Sequence, residues 1–212
     1  MMHKKKTRSM QPCDRFTNFA ADPMTLARNL LGQRLVRMED EMRLSGIIVE
    51  VEAYMGAEDR AAHTFGGRRT PRCEAMYLPG GHAYVYISHG IHHMLNIVCG
   101  RSDEGVAVLV RALEPEEGIS MMQSRRAGKT QPTQLCSGPG KLCQALAIDL
   151  GHNGIDLRVN HDLWIERVRS RPLPAAQIRQ TRRIGVESAG EWADRELRFI
   201  IAGNPHVSPG RG

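Results

Sequence analysis

Aromatic residues are scarce in this chain: they make up 5% of 212 residues, and only four are tyrosines. The core must therefore be mainly aliphatic, and clustered tyrosines need a reason of their own. No apolar run approaches the ~18 residues that a membrane span needs. The basic N-terminus MMHKKKTRSMQP is not followed by an apolar segment, so no secretory signal is expected. Cys13, Cys73, Cys99, Cys136 and Cys143 contain no C-x-x-C pair, which argues against the usual zinc and dithiol motifs and leaves five reduced thiols as the expectation. His82, His89, His92 and His93 invite a metal reading, but no H-E-x-x-H accompanies them. SGPGK around Lys141 lacks the spacing and the Ser/Thr of a nucleotide-binding loop.

What is present is positive charge, +6 overall with a pI near 9.3. This favours a polyanionic partner such as nucleic acid. Length and composition fit one sizeable folded domain. Residues 1–20 read as a disordered basic tail. Asp22 and Pro23 read as the cap and first turn of a helix over 24–31, closed by Gly32. Strands are expected at 33–38, 44–54, 82–88, 92–99 and 105–113, with the middle pair joined by a turn at His89-Gly90. Residues 115–126 and 137–147 read as helices, 163–167 and 197–202 as late strands, and 178–185 as a further candidate strand. The chain beyond Pro205 reads as loose. No repeat or internal boundary interrupts 21–204, so a single mixed α+β domain fits best.

Within 47–54, IIVEVEAY, period-two alternation puts Glu50, Glu52 and Tyr54 on one strand face. Two carboxylates in a strand that reads as buried must be paired, hydrogen-bonded or used. Either both pair with arginines, or one activates a water as a general base. Arg111, in VAVLVRAL, could support such a base or simply pair with Glu50 or Glu114. Tyr54, Tyr84 and Tyr86 could stack on a flat ligand, or pack as strand tyrosines often do. His63 could hydrogen-bond that ligand. Arg68, Thr70 and Arg72 lie in a glycine-rich loop suited to gripping phosphate, if it is more than a solvated loop. Gly138 and Lys141 mark a helix entry whose amides could hold another phosphate.

The segments LARNLLGQRLVR, GIIVEVEAYMGAEDRAAH, GGRRTPR, YVYISHGIHHMLNIV, VLVRALEP, CSGPGKLCQALAI and AGEWADRELRF, in this order, resemble the alkyladenine (3-methyladenine) DNA glycosylase family of the mammalian type. The resemblance implies a compact domain with a curved, mainly antiparallel sheet surrounded by helices. It implies flipping of an alkylated or deaminated purine out of duplex DNA and hydrolysis of its glycosidic bond without a metal or cofactor. Carried across, Glu52 becomes the general base and Arg111 its partner on the water. Tyr54 and Tyr86 become the walls of the base pocket, with His63 and Tyr84 lining it and Asn96 crowding the amino group of guanine. His89 takes the position of a wedge, usually tyrosine in the family, that fills the gap left by flipping; Ile91 assists. A histidine is smaller and can take a proton beside phosphates, so weaker stacking and pH-sensitive retention of the flipped base are expected.

The expected partner is damaged double-stranded DNA, met by a monomer without a membrane, in the cytoplasm or nucleoid of a bacterium or the nucleus of a eukaryote. No lysine stands beside Glu52, so no Schiff-base lyase step is expected. A non-catalytic damage-binding module is the main rival. It shares the charge and the wedge but has no use for Glu52.

Overall fold

A computed structural model describes residues 15–209. Its frame is an eight-stranded antiparallel sheet built on one long strand. After α1 (Pro23–Leu30), β1 (Arg34–Glu39) turns into β2 (Met42–Tyr54). The hairpin β3 (Ala83–Ser88) and β4 (His92–Val98) leads to β5 (Ala107–Glu117), α2 (Ile119–Arg125) and α3 (Pro139–Leu146). Three short strands follow: β6 (Leu163–Glu166), β7 (Ile178–Thr181) and β8 (Arg198–Ile201). The order is β3-β4-β5-β2-β1-β6, with β8 paired to β2 and β7 to β8. The fold is thus a single mixed α+β domain with a curled antiparallel sheet.

β2 changes partners along its length. Its first half pairs with β1, and Glu50 to Glu52 pair with β8. Against β5 the register shifts on both sides of Glu50. A bulge of this kind bends a strand and re-aims its side chains. It lies next to the two carboxylates, where the sheet curls.

The helix cap reads as expected: the Asp22 carboxylate accepts the Met24 and Thr25 amides at 3.0 Å each. α1 buries Leu26, Ala27 and Leu30 against the sheet. The cysteines Cys73, Cys99, Cys136 and Cys143 are free and buried, and Cys13 lies outside the described residues.

Three expectations need correction. The expected tail over 1–20 falls mostly outside the described residues, but 15–20 pack: Phe16 donates its amide to Ile165 O at 2.9 Å, and Phe16 and Phe19 meet edge to face inside the core. The expected helix over 115–126 begins only at Ile119, because β5 runs on through Pro115 to Glu117. Proline is tolerated there because the pairing of β5 with β4 (residues 107–109) and its bridge from Ala112 to Ser137 both end before Pro115, and because Pro115 faces Gly46 at a register shift. The chain after Pro205 is not loose throughout: His206 and Ser208 are buried.

Phe19 is 1% exposed, so Phe19→Ala should destabilise the fold by about 3–5 kcal/mol in urea unfolding. An unchanged midpoint would mean that this segment does not belong to the core.

Candidate active site

The two carboxylates of β2 sit side by side in the protein interior, each without solvent exposure. Burying them is tolerable only because donors surround both. Arg111, from the neighbouring strand β5, serves the two together: Nε donates to Glu50 Oε1 at 2.8 Å and Nη1 reaches Glu52 Oε1 at 3.1 Å. Glu50 also receives Arg198 Nε at 2.7 Å and both donors of Ser208. Burial alone would raise the Glu50 carboxyl, but Arg111, Ser208 and Arg198 together hold it below the usual carboxylate range.

Glu52 is held differently. Oε1 accepts the Ile184 amide at 2.8 Å, and Oε2 accepts the Tyr54 hydroxyl at 3.0 Å. Burial, together with the Glu52 charge, pushes the Tyr54 hydroxyl well above its ordinary value, so it donates as a neutral phenol. A carboxylate oxygen can accept twice. Oε2, with Tyr54 as its protein donor, has acceptor capacity left for a water or substrate group.

Beside this centre lies a cavity of about 250 Å³. Tyr54, His63, Tyr84, Tyr86 and Asn96, the five residues expected at a base pocket, all line this cavity. Strand alternation places Tyr84 and Tyr86 on one face of β3, stacked at 5.4 Å with 26° between their planes. His63 meets Tyr86 edge to face at 4.6 Å, and its Nδ1 lies 2.7 Å from the Tyr84 hydroxyl. Burial, aided by the charges of Arg72 and Arg68, pushes His63 down to about 4, so it is neutral at physiological pH. The buried Tyr84 hydroxyl is likewise pushed up and keeps its proton. With the Tyr84 hydroxyl donating to His63 Nδ1, the neutral ring carries its own proton on Nε2 and can donate there. Asn96, opposite Tyr84 on β4, donates to the Tyr84 carbonyl at 3.2 Å and is held rigid in the wall.

His89 and Ile91 project from the loop between β3 and β4. His89 and Gly90 both have positive φ, 49° and 75°. This turns the chain tightly and leaves Ile91 73% exposed. His89 borders the cavity. α3 enters beside the same hairpin: Gly140 lies against His92, so close that a Cβ there would stand 3.1 Å from the His92 ring. This brings Gly138 and Lys141, at the start of α3, near the hairpin.

The loop after residue 67 divides its arginines. Arg69 is engaged with Glu74 and Asp103. Arg72, expected at DNA phosphate, borders the cavity, with its guanidinium 5.4 Å above the Tyr86 ring and Nη2 donating to Ile87 O at 3.1 Å. Arg68 and Thr70 stay on the exposed loop, where the Thr70 amide meets Cys73 Sγ at 3.3 Å. Among the described residues no His, Cys, Asp or Glu cluster is arranged to hold a metal ion.

Sequence reasoning missed several supports. Arg183, from the arginine-rich segment read as a strand, turns inward to form a fully buried ion pair with Asp59. It also donates to Ala53 O at 3.0 Å and lies 4.7 Å above the Tyr54 ring. The Ile184 amide, Arg198 and Ser208 were missed as well. Only the density of arginines around 178–198 hinted at buried carboxylate partners.

Residues 17–205 match the family model for methylpurine-DNA glycosylase (MPG). The chain is 44% identical over 199 residues to the human protein named DNA-3-methyladenine glycosylase, covering 90% of this chain and 66% of that one. It is 43% identical over 199 residues to the mouse protein of the same name, covering 90% and 59%. It is also 43% identical over 197 residues to a Bacillus cereus strain B4264 protein named "Putative 3-methyladenine DNA glycosylase", covering 90% of this chain and 96% of that one.

The neutral His63 has a consequence for stability. Its ordinary unfolded value is near 6.5 and its folded value about 4. Between the two, the unfolded chain binds a proton that the folded chain does not, so stability falls as pH drops through this window. The loss is at most about 3 kcal/mol and nearer 1–2 after screening at a partly exposed ring. His63→Gln should remove that part of the slope in urea unfolding followed from about pH 7 to 4. An unaltered slope would show that the ring is protonated in the fold.

Proposed function

The chain belongs to the methylpurine-DNA glycosylase family, and we propose that it releases damaged purines from duplex DNA with Glu52 as the base that activates water. The activity is that of a DNA-3-methyladenine glycosylase in base excision repair, with damaged DNA as substrate. The carrying observation is a buried carboxylate, shared through one arginine and hydrogen-bonded to one wall of a tyrosine-lined cavity.

In this reading a flipped purine enters between Tyr54 on one side and Tyr86 with His63 on the other. Stacking of this kind contributes about 1–3 kcal/mol per base. Flipping costs a few kcal/mol, least at damaged or mispaired sites. A positively charged alkylpurine gains further from the tyrosine faces and leaves more readily. Asn96 crowds the exocyclic amino group of guanine and disfavours the normal base. Glu52 Oε2 takes the proton of a water that attacks the sugar C1′, while the glycosidic electron pair leaves with the purine. Positive charge developing at the sugar is stabilised by the Glu52 carboxylate. Arg111 contributes by fixing that carboxylate and contacting the same water.

The hairpin tip supplies the wedge. His89 and the exposed Ile91 enter the duplex where the purine was, and a ring smaller than tyrosine fills less of the gap. Arg68, Thr70, Gly138 and Lys141 take phosphates on either side, with Arg72 nearer the base than the backbone. Affinity should then fall steeply with salt. The protein works as a monomer, in the cytoplasm or nucleoid of a bacterium or the nucleus of a eukaryote. Among the described residues no helix is long and apolar enough to cross a membrane.

The test is single-turnover release of free base from duplexes carrying 3-methyladenine or hypoxanthine, with EDTA present. Glu52→Gln should slow release by about 10²–10⁴ while largely preserving damaged-DNA binding. Release by Glu52→Gln at the wild-type rate would refute this role. Binding without release by the wild type would leave the non-catalytic damage-binding module.

A further inference from the structure

The residues after β8 fold back onto the sheet. The Asn204 side chain donates to Glu114 Oε2 at 2.8 Å and accepts the His206 amide at 2.8 Å. This turn carries Ser208, 6% exposed, to the Glu50 carboxylate. There its amide donates to Oε2 at 2.6 Å and its hydroxyl to Oε1 at 2.7 Å. The Ser208 carbonyl accepts Arg198 Nη2 at 3.3 Å. Glu50 therefore has four donors. Two are arginines on neighbouring strands, and the other two come from a single residue near the chain end.

We propose that Ser208 is a positioning residue for base excision, acting through Glu50 on the Arg111 guanidinium that Glu52 shares. The inference rests on the reading of Glu52 as the base. Neither Glu50 nor Glu52 is among the residues lining the cavity, but Glu52 is bonded to its wall through the Tyr54 hydroxyl, whereas Glu50 is engaged by its four donors. They fix its carboxylate plane. That plane sets the direction of the Arg111 Nε bond, and the rigid guanidinium then sets where Nη1 meets Glu52 Oε1. Without the Ser208 hydroxyl, Glu50 Oε1 keeps only the two arginines, which can draw it toward either strand. A displacement of about 1 Å in a catalytic group can cost on the order of 10² in rate. The loss here should be smaller, because strand pairing still restrains Glu50, Glu52 and Arg111.

The test compares Ser208→Ala, Glu50→Gln, their combination and Glu52→Gln on a hypoxanthine duplex, reading single-turnover rate and equilibrium binding separately. Ser208→Ala should slow release about 5- to 20-fold, with Kd within about twofold of wild type. Added to Glu50→Gln, it should slow release no further, because both act through one carboxylate. Wild-type release by Ser208→Ala, slowing matched by weaker binding, or slowing that multiplies with Glu50→Gln would each overturn the proposal. Wild-type release by Glu52→Gln would instead refute the reading beneath it.

Discussion

One guanidinium shared by two buried carboxylates organises this molecule. Glu50 and Glu52 stand on the same face of β2 and neither reaches solvent. Two anions so placed would be untenable without compensation. Arg111 bridges them from β5, and β8 and the chain end complete the set of donors around Glu50. The partition that results is chemical. Glu50 is saturated by charged and hydrogen-bonding donors and serves as an anchor. Glu52 keeps an oxygen whose protein donor is the hydroxyl of the adjoining cavity wall. The same strand thus supplies one fully engaged carboxylate and one with acceptor capacity to spare, two residues apart.

The cavity follows from the same alternation. β3 brings Tyr84 and Tyr86 to one face, and β4 brings Asn96 opposite Tyr84. Arg183 holds Tyr54 from behind while closing a buried ion pair with Asp59. Asp59 in turn accepts the Met55 and Ala61 amides at 3.0 and 2.9 Å, which fixes the segment that delivers His63. Tyr54, Tyr84 and Asn96 are each tied to a polar partner, and Tyr86 is held by ring contacts with Tyr84 and His63. The hairpin tip is held by local contacts instead: His89 Nδ1 lies 3.0 Å from Ser88 Oγ, and the Ile91 side chain is 73% exposed.

Much of this was legible in the sequence because it depends on short periods. The period of two placed Glu50, Glu52 and Tyr54 together, and Tyr84 with Tyr86. The cap at Asp22 and the turn at His89-Gly90 carry local chemistry that reads directly. What escaped depends on contacts distant along the chain. The bulge at Glu50 arises from three-way pairing with β5 and β8. Pro115 reads as a helix start because nothing local reveals that pairing along the second edge of β5 ends before residue 115. Phe16, Phe19 and Ser208 lie in segments whose composition resembles a tail, and burial alone gives them their roles. The position of Arg72 at the cavity edge, over the Tyr86 ring, likewise depends on a contact between separate segments.

In the proposed mechanism Arg111 acts through Glu52. A double-mutant cycle with Arg111→Lys and Glu52→Gln tests it most directly, read as single-turnover release of hypoxanthine from duplex DNA. Lysine keeps the charge but cannot bridge two carboxylates as a guanidinium does. Arg111→Lys should slow release about 10- to 100-fold in the wild type and add little to Glu52→Gln. Slowdowns that simply multiply would contradict it, since arginine and carboxylate would then be acting independently.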